Sequence, residues 1–151
     1  MLNLKVNDRE VSIDAPEDAT LLAVLSNDLK LAGPKFGCGL SQCGSCTVLL
    51  DGEPVKSCQT KAQAAIGRSV TTLEGLRDGD DAGPLQRAFI TEQAAQCGYC
   101  ASGMIMAAQA LLDRNPSPTE SDVRAALNGN LCRCGTHNRI VRAVLRAAEE
   151  V

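Results

Sequence analysis

Eight cysteines in 151 residues, divided into two sets of four with none left over, constrain this chain more than any other feature. Cys38, Cys43, Cys46 and Cys58 read C-x4-C-x2-C followed by an eleven-residue gap; Cys97, Cys100, Cys132 and Cys134 read C-x2-C and then C-x-C. Thiols in such number are disulfides in an oxidising compartment and metal ligands in a reducing one. The opening MLNLKVNDRE has neither a basic n-region nor an apolar h-region, so no signal peptide is read and a cytoplasmic chain with metal-bound thiols is expected. The core needs such help. Aromatic residues make up 2% of the chain, two Phe and one Tyr, so burial rests on small aliphatic side chains and a bound metal would supply missing stability.

The first three cysteines match the plant-type spacing of a 2Fe–2S cluster. Gly37, Gly39 and Gly44 are interleaved with them, letting backbone N–H groups approach the sulfurs. A structural zinc site more often pairs two short C-x2-C knuckles, and stands as the alternative. In the second set, QCGYC taken alone could be a thioredoxin-like motif, but that reading wants a βαβ context, and the surrounding pattern is helical. Two cysteine pairs at helix ends offer four thiolates whose charge the amide dipoles favour. Zinc stays open for this half as well.

The hydrophobic period changes along the chain. Leu2, Leu4 and Val6, then Val11 and Ile13, alternate on either side of Asn7–Asp8 and predict a hairpin with one wet face. A short helix is expected after Thr20 as N-cap, with Leu22, Leu25 and Leu29 on one face. Thr47–Leu50, Asp51–Gly52 and Val55 predict a second hairpin, and 70–73 a closing strand. After RDGDDAGP the apolar residues recur at helical spacing through Leu85–Phe89, Met104–Leu112, Val123–Leu127 and Val141–Ala148. The expected fold class is α+β: residues 1–76 a β-rich unit, 77–84 a linker, and 85–151 a four-helix unit. Each cysteine set lies within its own unit, so the two are expected to bind metal and fold independently.

Net charge is −3 and the pI near 5.1, which argues against nucleic-acid binding. No apolar run reaches the roughly 18 residues of a membrane span. Residues 85–151 carry seven Arg, no Lys and six acids, which suggests either a solvated surface or a face for a partner or anion. No Ser–His–Asp arrangement, P-loop or dinucleotide fingerprint is read in the sequence. An oxidised 2Fe–2S core with four thiolates adds about −2, so two would bring the chain to about −7.

FGCGLSQCGSCTVLLDG, QCGYCASGMIM and GNLCRCGTHNRI together resemble the iron–sulfur small subunits of the molybdenum hydroxylases, the xanthine oxidase and aldehyde oxidoreductase family, over almost the whole chain. The resemblance implies a β-grasp ferredoxin domain, then a four-helix domain, each holding a 2Fe–2S cluster on its four cysteines. It implies no catalytic residue in this chain. Substrate, an aldehyde or an N-heteroaromatic compound, is oxidised at a molybdopterin of cytosine dinucleotide type in a large partner subunit, and electrons leave through the two clusters. Cys134 and Gln96 are expected beside that pterin, with the helical-domain cluster nearer molybdenum. His137, where many relatives have Tyr, is expected at a surface or interface. The CRCGT form resembles two-component enzymes that reduce cytochromes, so a cytochrome c subunit or acceptor is the expected outlet. Export to the periplasm with a signal-bearing partner remains compatible with the sequence.

Overall fold

The computed structural model describes residues 1–150. Strand β1 (Leu2–Val6) buries Leu2, Leu4 and Val6 and pairs antiparallel with β2 (Arg9–Ile13), Leu4 opposite Val11. Asn7 and Asp8 join them at φ of 49° and 63°, the two positive values that a tight two-residue hairpin requires. Strands β3 (Thr47–Leu50) and β4 (Glu53–Lys56) form the second hairpin around Asp51–Gly52. The two hairpins share no ladder. Strand β5 (Ser69–Thr71) lies between them, parallel to β1 and antiparallel to β3, giving the order β2-β1-β5-β3-β4 of a β-grasp sheet.

Thr20 caps α1 (Leu21–Ala23) as expected, accepting from the Ala23 amide at 3.2 Å. The helix then widens into a π-turn over Val24–Asp28, which shifts the phase of its apolar face. Leu21, Val24 and Leu25 pack on the sheet, whereas Leu22 turns onto Cys46 and Cys58. Leu22 and Leu25 therefore do not share one face.

The four helices of the second half are α2 (Pro84–Thr91), α3 (Ala101–Arg114), α4 (Glu120–Ala126) and α5 (His137–Ala148). Thr119 and Asp122 form a reciprocal capping box on α4. The core of this unit is Ala, Leu, Val, Ile and Met around the single Phe89. Helix α3 also packs across the seam: Met106 and Ala110 bury against Leu49 of β3. At its first turn, Gly103 is so close to the Gly44 carbonyl that a Cβ there would lie 2.0 Å from the oxygen. The expectation of two independent bodies is therefore revised, because the sheet and α3 share one apolar contact and a backbone-to-backbone approach. Among the described residues, no helix is long and apolar enough to cross a membrane.

Candidate metal centres

The loop from Lys35 to Cys46 carries three thiols of the first set, and the turn after β4 carries Cys58. Backbone amides of Leu40, Gln42 and Cys43 point at Cys38 Sγ from 3.2, 3.2 and 3.3 Å. They hold the Cys38 thiol at about 6, well below the ordinary cysteine value, because a thiolate accepts these bonds better than a thiol. Gly37 is required by space, since a Cβ there would sit 2.6 Å from Cys43 Sγ. Cys46 and Cys58 are buried beneath Leu22, and burial pushes the Cys46 thiol up. Ser57, also buried, donates its hydroxyl to the Cys46 carbonyl at 2.6 Å.

In the second set Cys97 and Cys100 precede α3, with Cys100 at its N-cap position; Cys132 and Cys134 precede α5. The Cys97 thiol is lowered first by the Tyr99 amide and then by Cys134. Burial pushes Cys132 up, yet the Thr136 hydroxyl and amide, with Cys100, bring it to about 7. Cys100 is pushed up to about 12 by burial and by its neighbour Cys132.

Among the described residues no three metal-ligating side chains converge on one point. In the first set Cys38 and Cys43 each accept from the other's backbone amide, at 3.3 and 3.4 Å, and Cys46 packs with Cys58; in the second set Cys97 feels Cys134 and Cys132, and Cys100 feels Cys132 and Cys97. Four thiols in each set are the donor number of a 2Fe–2S cluster, which takes two thiolates on each iron. All eight thiols are free. The residues fit two 2Fe–2S clusters. Cysteines of both sets also line one apolar cavity of about 210 Å³, together with Tyr99 and Leu131.

The family models agree. A "2Fe-2S iron-sulfur cluster binding domain" matches residues 4–69 and a "2Fe-2S binding domain" residues 72–145. A nicotinate dehydrogenase subunit of Pseudomonas putida is 55% identical over 98% of this chain and 94% of its own. The chain belongs to the iron–sulfur small subunits of the molybdenum hydroxylases. Another member, the alpha subunit of isoquinoline 1-oxidoreductase from Brevundimonas diminuta, is 52% identical over 99% of both chains. Among solved structures, quinoline 2-oxidoreductase from Pseudomonas putida 86 superposes with a TM-score of 0.94 at 37% identity, covering 98% of this chain and 93% of that one. Aldehyde oxidoreductase from Desulfovibrio gigas gives 0.92 at 40% identity over 97% of this chain, which corresponds to 16% of that longer protein.

Gln96 and Cys134 come together in a separate cavity of about 510 Å³, lined also by Thr136, Asn138, Arg139 and Arg142. Gln96 precedes α3 by five residues, which leaves no helix start near Cys97 for it to cap. Arg142 and Arg146 reach Glu92 at 3.7 and 2.8 Å. His137 is exposed at the first turn of α5. Sequence reasoning missed the hydroxyls that touch the thiols: Ser45 Oγ lies 3.1 Å from Cys43 Sγ, and Thr136 Oγ1 lies 3.3 Å from Cys132 Sγ. For Thr136 a signal existed, a hydroxyl residue just ahead of a helix and two residues past the C-x-C pair.

Proposed function

We propose that this chain carries electrons from a molybdopterin site, of cytosine dinucleotide type, in a large partner subunit to an external acceptor of the cytochrome type. Its own residues form no catalytic constellation; they hold, insulate and connect. Cys38, Cys43, Cys46 and Cys58 hold one 2Fe–2S cluster, and Cys97, Cys100, Cys132 and Cys134 the other. When bound, each cluster supplies a one-electron carrier. The amides of Leu40, Gln42 and Cys43 stabilise negative charge on the sulfur side of the first site. Thr136 does the same at the second. Gln96 and Cys134, sharing one cavity with Arg139 and Arg142, form the face offered to the pterin of the partner. On this reading the second site is the nearer to molybdenum and the first the nearer to the outlet.

The observation that carries this reading is that a 2Fe–2S domain model matches each half, residues 4–69 around the first four cysteines and 72–145 around the second four. The substrate is an N-heteroaromatic compound or an aldehyde, and the names of the 55% and 52% identical relatives favour the former. The complex works in the cytoplasm, or in the periplasm where the large subunit brings a signal. Metal analysis of the purified complex tests the assignment: each small subunit should contain about four iron and four acid-labile sulfides, with a red-brown colour. Two zinc per chain and no labile sulfide would overturn it.

A further inference from the structure

The last turn of α2 leaves a large apolar side chain in solvent. Ile90 is 72% exposed, more than any other large apolar side chain of the helical half among the described residues. It does not stand alone. Ala101 and Ile105, one turn apart on α3, line with Ile90 and Phe89 of α2 a groove of about 580 Å³. Phe89 and Ile105 are buried members of the core of this unit, which fixes the floor, and Ile90 forms the rim. Arg139 of α5 and Ala95 complete the lining.

Position and charge say what covers this groove. Ala95 and Arg139 also line the cavity that holds Gln96 and Cys134, so the groove opens beside the face offered to the pterin, and a body that covers one reaches the other. Arg87, Arg124, Arg142 and Arg146 each meet a glutamate of this chain. Among the described residues Arg139 meets no carboxylate and reaches only the Gln93 carbonyl, at 3.5 Å. An apolar pocket with an arginine at its edge has the make-up of an interface anchor, and the free cation selects a partner that brings an anion. A second copy of this chain fits poorly. The groove lining holds no acid, so a two-fold contact would bring two arginines to one apolar patch.

We infer that the groove between α2 and α3 anchors the molybdenum-binding large subunit: it takes an apolar side chain of that subunit against Ile90, beside a carboxylate of the same subunit that meets Arg139. The inference rests on the reading of the Gln96–Cys134 cavity as the face offered to the large subunit. Fully burying an isoleucine side chain shifts an association equilibrium roughly ten- to hundredfold. One partly exposed ion pair shifts it about two- to fivefold, and less as salt is added. Ile90 is therefore the anchor, and Arg139 sets which segment of the partner fits.

The test is stepwise dilution of the purified complex, its dissociation followed by mass photometry, with iron and molybdenum counted in parallel. Ile90→Gln changes a side chain that this chain leaves in solvent, so all iron should stay while the dissociation constant rises roughly ten- to hundredfold. Arg139→Gln should raise it about two- to fivefold and flatten its dependence on salt. Ile66→Gln is the control: Ile66 is 51% exposed but lies in the first unit, and the complex should dissociate as wild type does. Wild-type dissociation in both Ile90→Gln and Arg139→Gln would overturn the inference, as would equal weakening by Ile66→Gln or loss of iron from Ile90→Gln. A defect confined to self-association of the small subunit, or to reduction of a soluble one-electron acceptor, would give the groove a different occupant and overturn it too. A wild-type complex without molybdenum or without 2Fe–2S signals would instead overturn the functional reading on which the inference rests.

Discussion

Replacing Gly103 with alanine sets two opposing effects against each other. Glycine in a helix interior is about 0.8–1.0 kcal/mol less favourable than alanine, so on propensity alone the change stabilises α3. The packing says otherwise. A Cβ on Gly103 would stand 2.0 Å from the Gly44 oxygen, 2.9 Å from its carbonyl carbon and 3.1 Å from Ser45 Cα, all backbone atoms that cannot swing aside. Non-bonded carbon contacts are optimal at about 3.5–4.0 Å, so α3 must withdraw from the loop by more than an ångström. Overpacking of this kind costs about 1–3 kcal/mol. The same Gly44 oxygen accepts from Thr47 Oγ1 at 2.7 Å and from Asn130 Nδ2 at 3.1 Å, and its displacement weakens bonds worth about 0.5–1.5 kcal/mol each. The balance is a net destabilisation of about 1–3 kcal/mol. For a chain of this size that lowers Tm by roughly 3–10 °C, read by calorimetry on the iron-loaded protein. Gly129→Ala is the matched control: its nearest neighbour is the flexible end of Lys56 at 3.2 Å, and its stability should stay within about 0.5 kcal/mol of wild type. An unchanged or raised Tm in Gly103→Ala would refute the seam as a tight backbone contact.

Other outcomes are equally open to measurement. Asn7→Ala removes both bonds to the buried Thr72, its amide and its hydroxyl, each at 2.9 Å; a loss of about 2–3 kcal/mol in denaturant unfolding is expected, and a loss below about 0.5 would show that the turn geometry alone matters. Thr119→Ala breaks the capping box of α4 at a cost of about 0.5–2 kcal/mol, so α4 amides should exchange with solvent faster while the sheet is unaffected; uniform acceleration would contradict a local cap. Gln96→Leu should keep all iron but slow substrate-dependent reduction or lower molybdenum retention in the complex, measured by rapid mixing and metal analysis; wild-type values for both would remove Gln96 from the partner face.

Much of the fold was legible because its signals are local. The alternation of Leu2, Leu4 and Val6, the Asn7–Asp8 and Asp51–Gly52 turns, and the capping residues Thr20 and Thr119 each report on neighbours a few positions away. The eight thiols were legible as two sets for the same reason. Which thiol faces which was not, since Cys58 reaches Cys46 through the β3–β4 hairpin and Cys134 reaches Cys97 through the folding of α3 to α5. The π-turn after α1 was also invisible: a heptad-like count puts Leu22 beside Leu25, and one widened turn sends it to the cysteines instead. The bonds across the seam leave no periodic trace at all. Tyr99 and Phe36 are 63 positions apart, and Asn130 and Gly44 are 86. Such contacts follow from how two finished surfaces meet.

The central place of β5 has a consequence in time. The two hairpins have no ladder between them, so the sheet cannot close until Ser69–Thr71 is made and slots in. Every thiol of the first set is already synthesised by then, the last of them at Cys58. Until β5 docks, Cys46 and Cys58, which end up almost sealed from solvent, lack the closed sheet that buries them. Delivery of iron and sulfide to the buried pair is therefore easiest before the third strand-pairing event, and oxidation of the pair is most dangerous then too.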